Sequence, residues 1–150
     1  MEISVRKTAL AAEGYFKKGL FCSEAVVAAV ADSFDAPQSR GVLSAAAGFG
    51  GGMGRGSVCG ALSGGVMAIG VILNSEETRN AEKAQLSMAL SAELTDAFEK
   101  YRGNVMCGTL TEGLDMAKGE NMELCASLVS FCAGKAAEII AREKGLKVID

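Results

Sequence analysis

The chain contains no histidine and no tryptophan, a single proline (Pro37), and only two tyrosines and six phenylalanines in 150 residues. Without histidine, the commonest general base and the commonest nitrogen ligand for a metal are both missing. With so few aromatic side chains, the interior must be filled by Ala, Gly, Leu, Val and Met, which suits closely packed helices better than a sheet. One proline and few β-branched runs point the same way, so the fold class expected is all-α, a compact helical bundle. The length is that of one ordinary domain, residues 1–150, with room for a sizeable core.

Clustered positive charge is also lacking. The net charge is −3 and the isoelectric point about 5.1. The only adjacent basic pairs are Arg6-Lys7 and Lys17-Lys18. Solvated helix faces account for them, and no nucleic-acid partner is expected. The first twenty residues mix charges among apolar side chains and lack the apolar core of a signal peptide, so the expected location is cytoplasmic. Thiols there stay reduced, which argues against a structural disulfide framework.

A charge-free stretch runs for 20 residues from Gly56 to Ser75, about the length of a membrane span. Its first half is rich in Gly and Ser, and its strongly apolar part covers only Val66 to Leu73. A central helix buried on all sides has the same hydropathy, and that is the reading adopted; no membrane association is expected.

Helical periodicity is clear elsewhere. One amphipathic segment runs from about Ser4 to Lys18, with Val5, Ala9 or Leu10, Ala12 and Phe16 on one face and Gly19 as its stop. A second runs from Cys22 to Phe34 and ends before Pro37, and a third is expected over Ser39 to Ala47. A long helix from Glu76 to Tyr101 would bury Leu86, Leu90, Leu94, Phe98 and Tyr101, with Ser75 as cap and Gly103 as terminator. After a short irregular stretch carrying Cys107, a last helix runs from Met122 to Lys144 with Asn121 as cap.

Between the third segment and the central helix lies Gly48-Phe-Gly-Gly-Gly-Met-Gly-Arg-Gly56, six glycines in nine residues. Such a run implies positive φ values or close approach of the main chain to something. It does not read as a nucleotide loop. The G-x-G-x-x-G spacing fails in every register, and Ser57 and Val58 stand where a phosphate loop needs Lys and Ser or Thr. A glycine loop feeding a helix N-terminus instead offers unpaired N–H groups and a positive dipole end.

Sulfur is what the chain has in place of histidine. Five cysteines stand at Cys22, Cys59, Cys107, Cys125 and Cys132. Cys22 opens a predicted helix, Cys59 falls in the first turn of the central helix, expected to begin near Ser57 or Val58, and Cys125 in the first turn after Asn121. Such positions lower a thiol's pKa and stabilise anions; taken singly, each cysteine also suits a small core position. The separations of 37, 48, 18 and 7 residues contain no C-x-x-C pair, against a zinc finger or a thioredoxin-type dithiol. Cys125 and Cys132 lie two turns apart on one helix face, about 10 Å along the axis. They cannot form a disulfide within an intact helix. Cys132 reads as a core residue.

The segments Cys22-Ser-Glu-Ala, GFGGGMGRGSVCGALSGG, Met-Cys107-Gly-Thr-Leu and Cys125-Ala-Ser-Leu-Val together resemble a bacterial and archaeal family of redox-active proteins. The family is named for its cysteine pattern, C…CGAxxG…C…C, and the likeness runs from about Gly19 to Ala137. Cys59-Gly60-Ala61-Leu62-Ser63-Gly64 fits CGAxxG without substitution. The resemblance implies a helical domain in which Cys22, Cys59, Cys107 and Cys125 serve redox chemistry. The family is also similar to part of the split-Soret cytochromes, which carry an iron–sulfur centre. Haem is not carried over, because the chain has no C-x-x-C-H site.

Two readings of the four thiols compete. In one they ligate an iron–sulfur cluster for electron transfer to a partner redox protein. Gly50, Gly51, Gly52, Gly54 and Gly56 would then wrap the cluster and donate N–H groups to its sulfurs, with Gly60 letting neighbouring helices approach. In the other, pairs such as Cys22 and Cys59 form a reversible disulfide in a thiol carrier or sensor. A structural zinc site is the third possibility. The sulfurs could meet within one chain or across a homodimer. Arg55 could balance a bound anion or reach solvent, and Glu24 reads as a helix-dipole partner. Met53 could pack beside a cluster or fill a gap.

Overall fold

The computed structural model describes residues 1–36, 40–74 and 79–150. Helix α7 (Met122–Glu143) is the element on which the rest converges. Half its residues are buried, among them Leu128, Val129, Cys132, Ile139 and Ile140. It packs against α1 (Val5–Lys17), α2 (Cys22–Ser33), α4 (Gly60–Leu73) and α5 (Ala81–Arg102). A shorter α3 (Arg40–Ala46) and a one-turn α6 (Cys107–Leu110) complete the all-helical architecture. Two-residue strands β1 (Glu2–Ile3) and β2 (Lys147–Val148) pair in parallel and clip the first and last segments together.

Small residues set the helix spacing. An added Cβ at Gly64 of α4 would stand 2.6 Å from the carbonyl oxygen and 2.9 Å from the Cα of Ser23 on α2. Gly134 of α7 meets Val5 and Ala9 of α1 at 3.3 and 3.5 Å. Alanine and glycine at these contacts let the helix backbones approach, so that a chain poor in aromatics needs less side-chain bulk between them. Ser23, fully buried, donates its hydroxyl to the Ala46 carbonyl at 2.6 Å and ties α2 to the end of α3.

Helix boundaries follow local chemistry. Ser4 accepts from the Lys7 N–H and caps α1, and Gly19, at φ 111°, lies just past its end. Asn80 accepts from the Lys83 N–H at the start of α5, and Gly103 in the left-handed region closes it. The expected Ser75 cap, the Glu76 start, Pro37 and Ser39 lie outside the described residues.

Some facial assignments need correction. Leu10 is exposed, so the inner face of α1 is Thr8, Ala12 and Phe16, with Ala9 half-buried. On α5 Leu90, Leu94 and Phe98 are buried, whereas Leu86 and Tyr101 are exposed. Tyr101 stacks on Phe131 at 4.3 Å between ring centres. Helix α4 is the buried central helix, but not on all sides: seven of its residues, including Ala61, Leu62 and Ile69, are buried, and Val66, Ile72 and Leu73 are half-buried. At 14 residues it is too short to cross a bilayer. Among the described residues one helix, α7, is long and apolar enough to do so, yet 61% of its most apolar window is buried inside the protein.

Candidate functional site

Five left-handed residues shape the glycine loop: Gly51, Gly52, Met53, Gly54 and Gly56, with φ between 57° and 74°. The high glycine content is thus a backbone requirement, and Met53 is the one residue there with a side chain in that region. At Gly52 a Cβ would collide with the Ser57 backbone, whose N–H closes the loop onto the Gly52 carbonyl at 2.9 Å. Gly56 lies against Gly108, where an added Cβ would stand 3.2 Å from the Gly108 Cα. The loop is therefore folded against itself and against α6.

Immediately after it, Val58 forms an isolated antiparallel bridge with Met106. The Cys59 N–H donates to the Val105 carbonyl at 2.8 Å, and the Cys107 N–H to the Ser57 carbonyl at 2.7 Å. In this register Cys59 lies opposite Val105 and Cys107 opposite Ser57, which makes the two cysteines diagonal neighbours across the bridge although 47 residues intervene in the chain. Cys59 is the N-cap of α4, its carbonyl accepting from the N–H groups of Leu62 and Ser63, and helix α4 begins at Gly60 rather than at Ser57 or Val58.

Cys22 reaches the same place from α2. The Gly60 Cα faces its sulfur so closely that a Cβ there would collide with Cys22 Sγ and stand 2.7 Å from the Phe49 carbonyl oxygen. Gly60 thus leaves the space that the Cys22 thiol occupies. Cys125 arrives from the first turns of α7, with Asn121 Nδ2 donating to its sulfur at 3.3 Å. Asn121 does not cap α7 with its side chain.

Cys22, Cys59, Cys107 and Cys125 line one cavity of about 320 Å³. Gly50, Gly51 and Gly60 lie in its wall, while Gly52, Gly54 and Gly56 stand outside it and shape the loop. The remaining lining is mainly apolar, including Phe16, Leu110 and Leu128, with Phe21, Met116 and Met122 exposed at the rim. Cys132 is fully buried in the core and does not line the cavity. Arg55 and Met53 are exposed, and Glu24 accepts from the Phe21 N–H at 2.9 Å at the head of α2.

Burial decides the ionisation of the thiols. Helix-start positions were expected to lower their pKa, and N–H groups of Gly51 and Ser23 do act that way on Cys22, as do those of Ala61 and Leu62 on Cys59. Desolvation is nevertheless larger, and all four are raised; Cys59 is pushed up to about 12. Burial therefore favours the neutral thiols at neutral pH. Each sulfur also feels a neighbour: Cys59 senses Cys22 and Cys107, Cys22 senses Cys125, and Cys125 senses Cys107.

Among the described residues, no three Cys, Asp or Glu side chains converge closely enough to hold one metal ion. The four thiols surround a space rather than a point. Sulfur alone is a soft donor set, of the kind that suits iron–sulfur clusters and zinc, and the glycine-backed wall leaves room beside the sulfurs. The donor chemistry of the four thiols thus fits an iron–sulfur cluster, for which four cysteines are the usual ligands.

Fold and site together define an all-helical protein with four cysteines gathered on one cavity. The family model described as "Putative redox-active protein (C_GCAxxG_C_C)" matches residues 20–139, and the chain belongs to that redox-active family. At the motif the chain's own order is Cys59-Gly60-Ala61-Leu62-Ser63-Gly64. No curated protein and no solved structure matches the chain.

Sequence reasoning missed Thr111, Asn121 as a sulfur donor, and the rim formed by Phe21, Met116 and Met122. The first two had a readable signal. Thr111 lies four residues after Cys107 and Asn121 four before Cys125, one helical turn in each case.

Proposed function

We propose that this protein is an electron carrier in which Cys22, Cys59, Cys107 and Cys125 hold an iron–sulfur cluster. The observation that carries the reading is that these four cysteines, drawn from four separate segments, line one cavity while the fifth is excluded from it. Such a cluster supplies one-electron exchange at a site with no histidine or carboxylate ligand. Ligation requires each thiol to lose its proton, and the N–H groups of Gly51, Ser23, Ala61 and Leu62 are placed to stabilise the sulfur charge that results. The mainly apolar wall lowers the local polarity around the sulfurs, of which Cys59 is buried and the other three half-buried. Phe21, Met116 and Met122 at the rim offer a partner redox protein an apolar contact close to the cysteines.

The alternative thiol carrier would use the sulfurs in pairs and gives no role to the gathering of all four on one cavity. A structural zinc site is disfavoured by the spread of the sulfurs around the cavity, because tetrahedral zinc needs all four at about 2.3 Å from one centre. Iron, zinc and acid-labile sulfide, measured with the visible spectrum on anaerobically purified protein, test the proposal. Iron and sulfide in matching amounts with brown colour support it. Colourless, metal-free protein after attempted reconstitution shifts the reading to the dithiol carrier, and zinc alone to the structural site.

A further inference from the structure

Two of the four cysteine sulfurs are served by backbone N–H groups, which ordinary side-chain substitutions leave in place: Gly51 and Ser23 at Cys22, Ala61 and Leu62 at Cys59. The other two are attended by side chains. Asn121 Nδ2 donates to Cys125 Sγ at 3.3 Å, and Thr111 Oγ1 lies over Cys107, donating to its carbonyl oxygen at 2.7 Å. Both Asn121 and Thr111 are 7% exposed, and both lie in the cavity wall. They are the buried polar side chains of an otherwise apolar site; the other two such residues described, Thr8 and Ser23, lie outside it.

A buried amide or hydroxyl in an apolar wall costs free energy unless it is bonded. Asn121 could meet that need by capping α7, for which its position and residue type are suited. It does not: its backbone is already helical (φ −88°, ψ −6°) and its side chain turns to the sulfur. A residue that forgoes its local role in this way is expected at functional positions. The Thr111 hydroxyl, one turn after Cys107 in the cavity wall, also acts on the Cys107 sulfur and offsets part of the effect of burial.

We propose, on the iron–sulfur reading above, that Asn121 and Thr111 are positioning residues that set the reduction potential of the centre by donating to the Cys125 and Cys107 sulfurs. Reduction adds one electron and hence negative charge to the cluster and its sulfurs. A neutral donor pointed at a sulfur stabilises the reduced form more than the oxidised one, so it raises the potential. Replacing the donor by an apolar side chain of similar shape lowers it.

The test is the midpoint potential, measured by a spectroscopic redox titration, of wild type, Asn121→Leu and Thr111→Val, with iron and sulfide counted in each. At wild-type iron content, Asn121→Leu is expected to lower the midpoint by about tenfold in the one-electron equilibrium constant, about 59 mV. Thr111→Val should lower it by less, and Asn121→Gln, which keeps an amide donor, should restore part of the loss. An unchanged midpoint in both variants at full iron content overturns the inference. Loss of the cluster from both also overturns it, because the two residues would then hold the site together rather than tune it. A wild type without iron and sulfide instead defeats the electron-carrier reading itself.

Discussion

The two halves of the cysteine cavity are built by different means. Cys22 and Cys59 are placed by main chain against main chain: Gly60 leaves the space for the Cys22 sulfur, and Gly64 lets α2 and α4 approach one turn further on. Cys107 and Cys125 sit on a one-turn helix and at the start of α7, attended by Thr111 and Asn121 and bordered by exposed Met116 and Met122. The inner pair is thereby fixed by backbone geometry, which tolerates no added atom. Cys107 is also placed by main chain, through its N–H to the Ser57 carbonyl, but the polar groups attending the outer pair are side chains, which can be exchanged without moving the fold.

The comparison is broken most directly at the sulfurs. Cys59→Ser should abolish the visible chromophore, whereas Cys132→Ser should keep it and cost roughly 1–2 kcal/mol of stability for burying a hydroxyl; a full cluster in the Cys59 variant would sink the ligand assignment. Next in size are the glycines of the inner half. Gly60→Ala and Gly64→Ala should each destabilise the protein by roughly 1–3 kcal/mol in urea unfolding, because the obstructing atoms include backbone that cannot swing aside. Gly48→Ala, with nothing within 4 Å of the new methyl and no positive φ, should be close to neutral.

Thiol reactivity sharpens the contrast further. In metal-free protein at about pH 8, below the ordinary thiol range, iodoacetamide should modify every cysteine more slowly than free cysteine. Exposure puts Cys59 behind Cys107 and the fully buried Cys132 last, an order readable by mass spectrometry. The raised pKa values have a sign for stability as well. The folded state keeps these protons to higher pH than the unfolded chain does, so the contribution is complete below the ordinary thiol pKa. It is lost as pH rises through the folded values, and the melting temperature of metal-free protein should fall from about pH 9 upward. The smallest effect belongs far from the site. Arg142→Ala removes the exposed bidentate pair with Glu93 that links α7 to α5, and should cost about 1 kcal/mol or less.

Much of this architecture was legible because it is local. The starts of α1, α2 and α7 follow from Ser4, Cys22 and Met122, and the positive φ values of the loop follow from its glycines. What was not legible is pairing at a distance. Nothing in the letters around Val58 and Met106 announces their bridge, which is what brings Cys107 diagonally across from Cys59. Nor does helical periodicity distinguish Leu90 from Leu86, one turn apart on α5. Thiol ionisation was misjudged for the same reason. A helix start can be read from a few neighbours, but desolvation depends on which other segments close over the sulfur.

Gly60 and the Val58–Met106 bridge carry a consequence for the order of events in the cell. The four thiols belong to α2, the head of α4, α6 and the last long helix, so no partial chain emerging from the ribosome presents them together. The four-cysteine arrangement is thus a product of the completed chain, and it exists only once α7 has been made and has docked on α2 and α4.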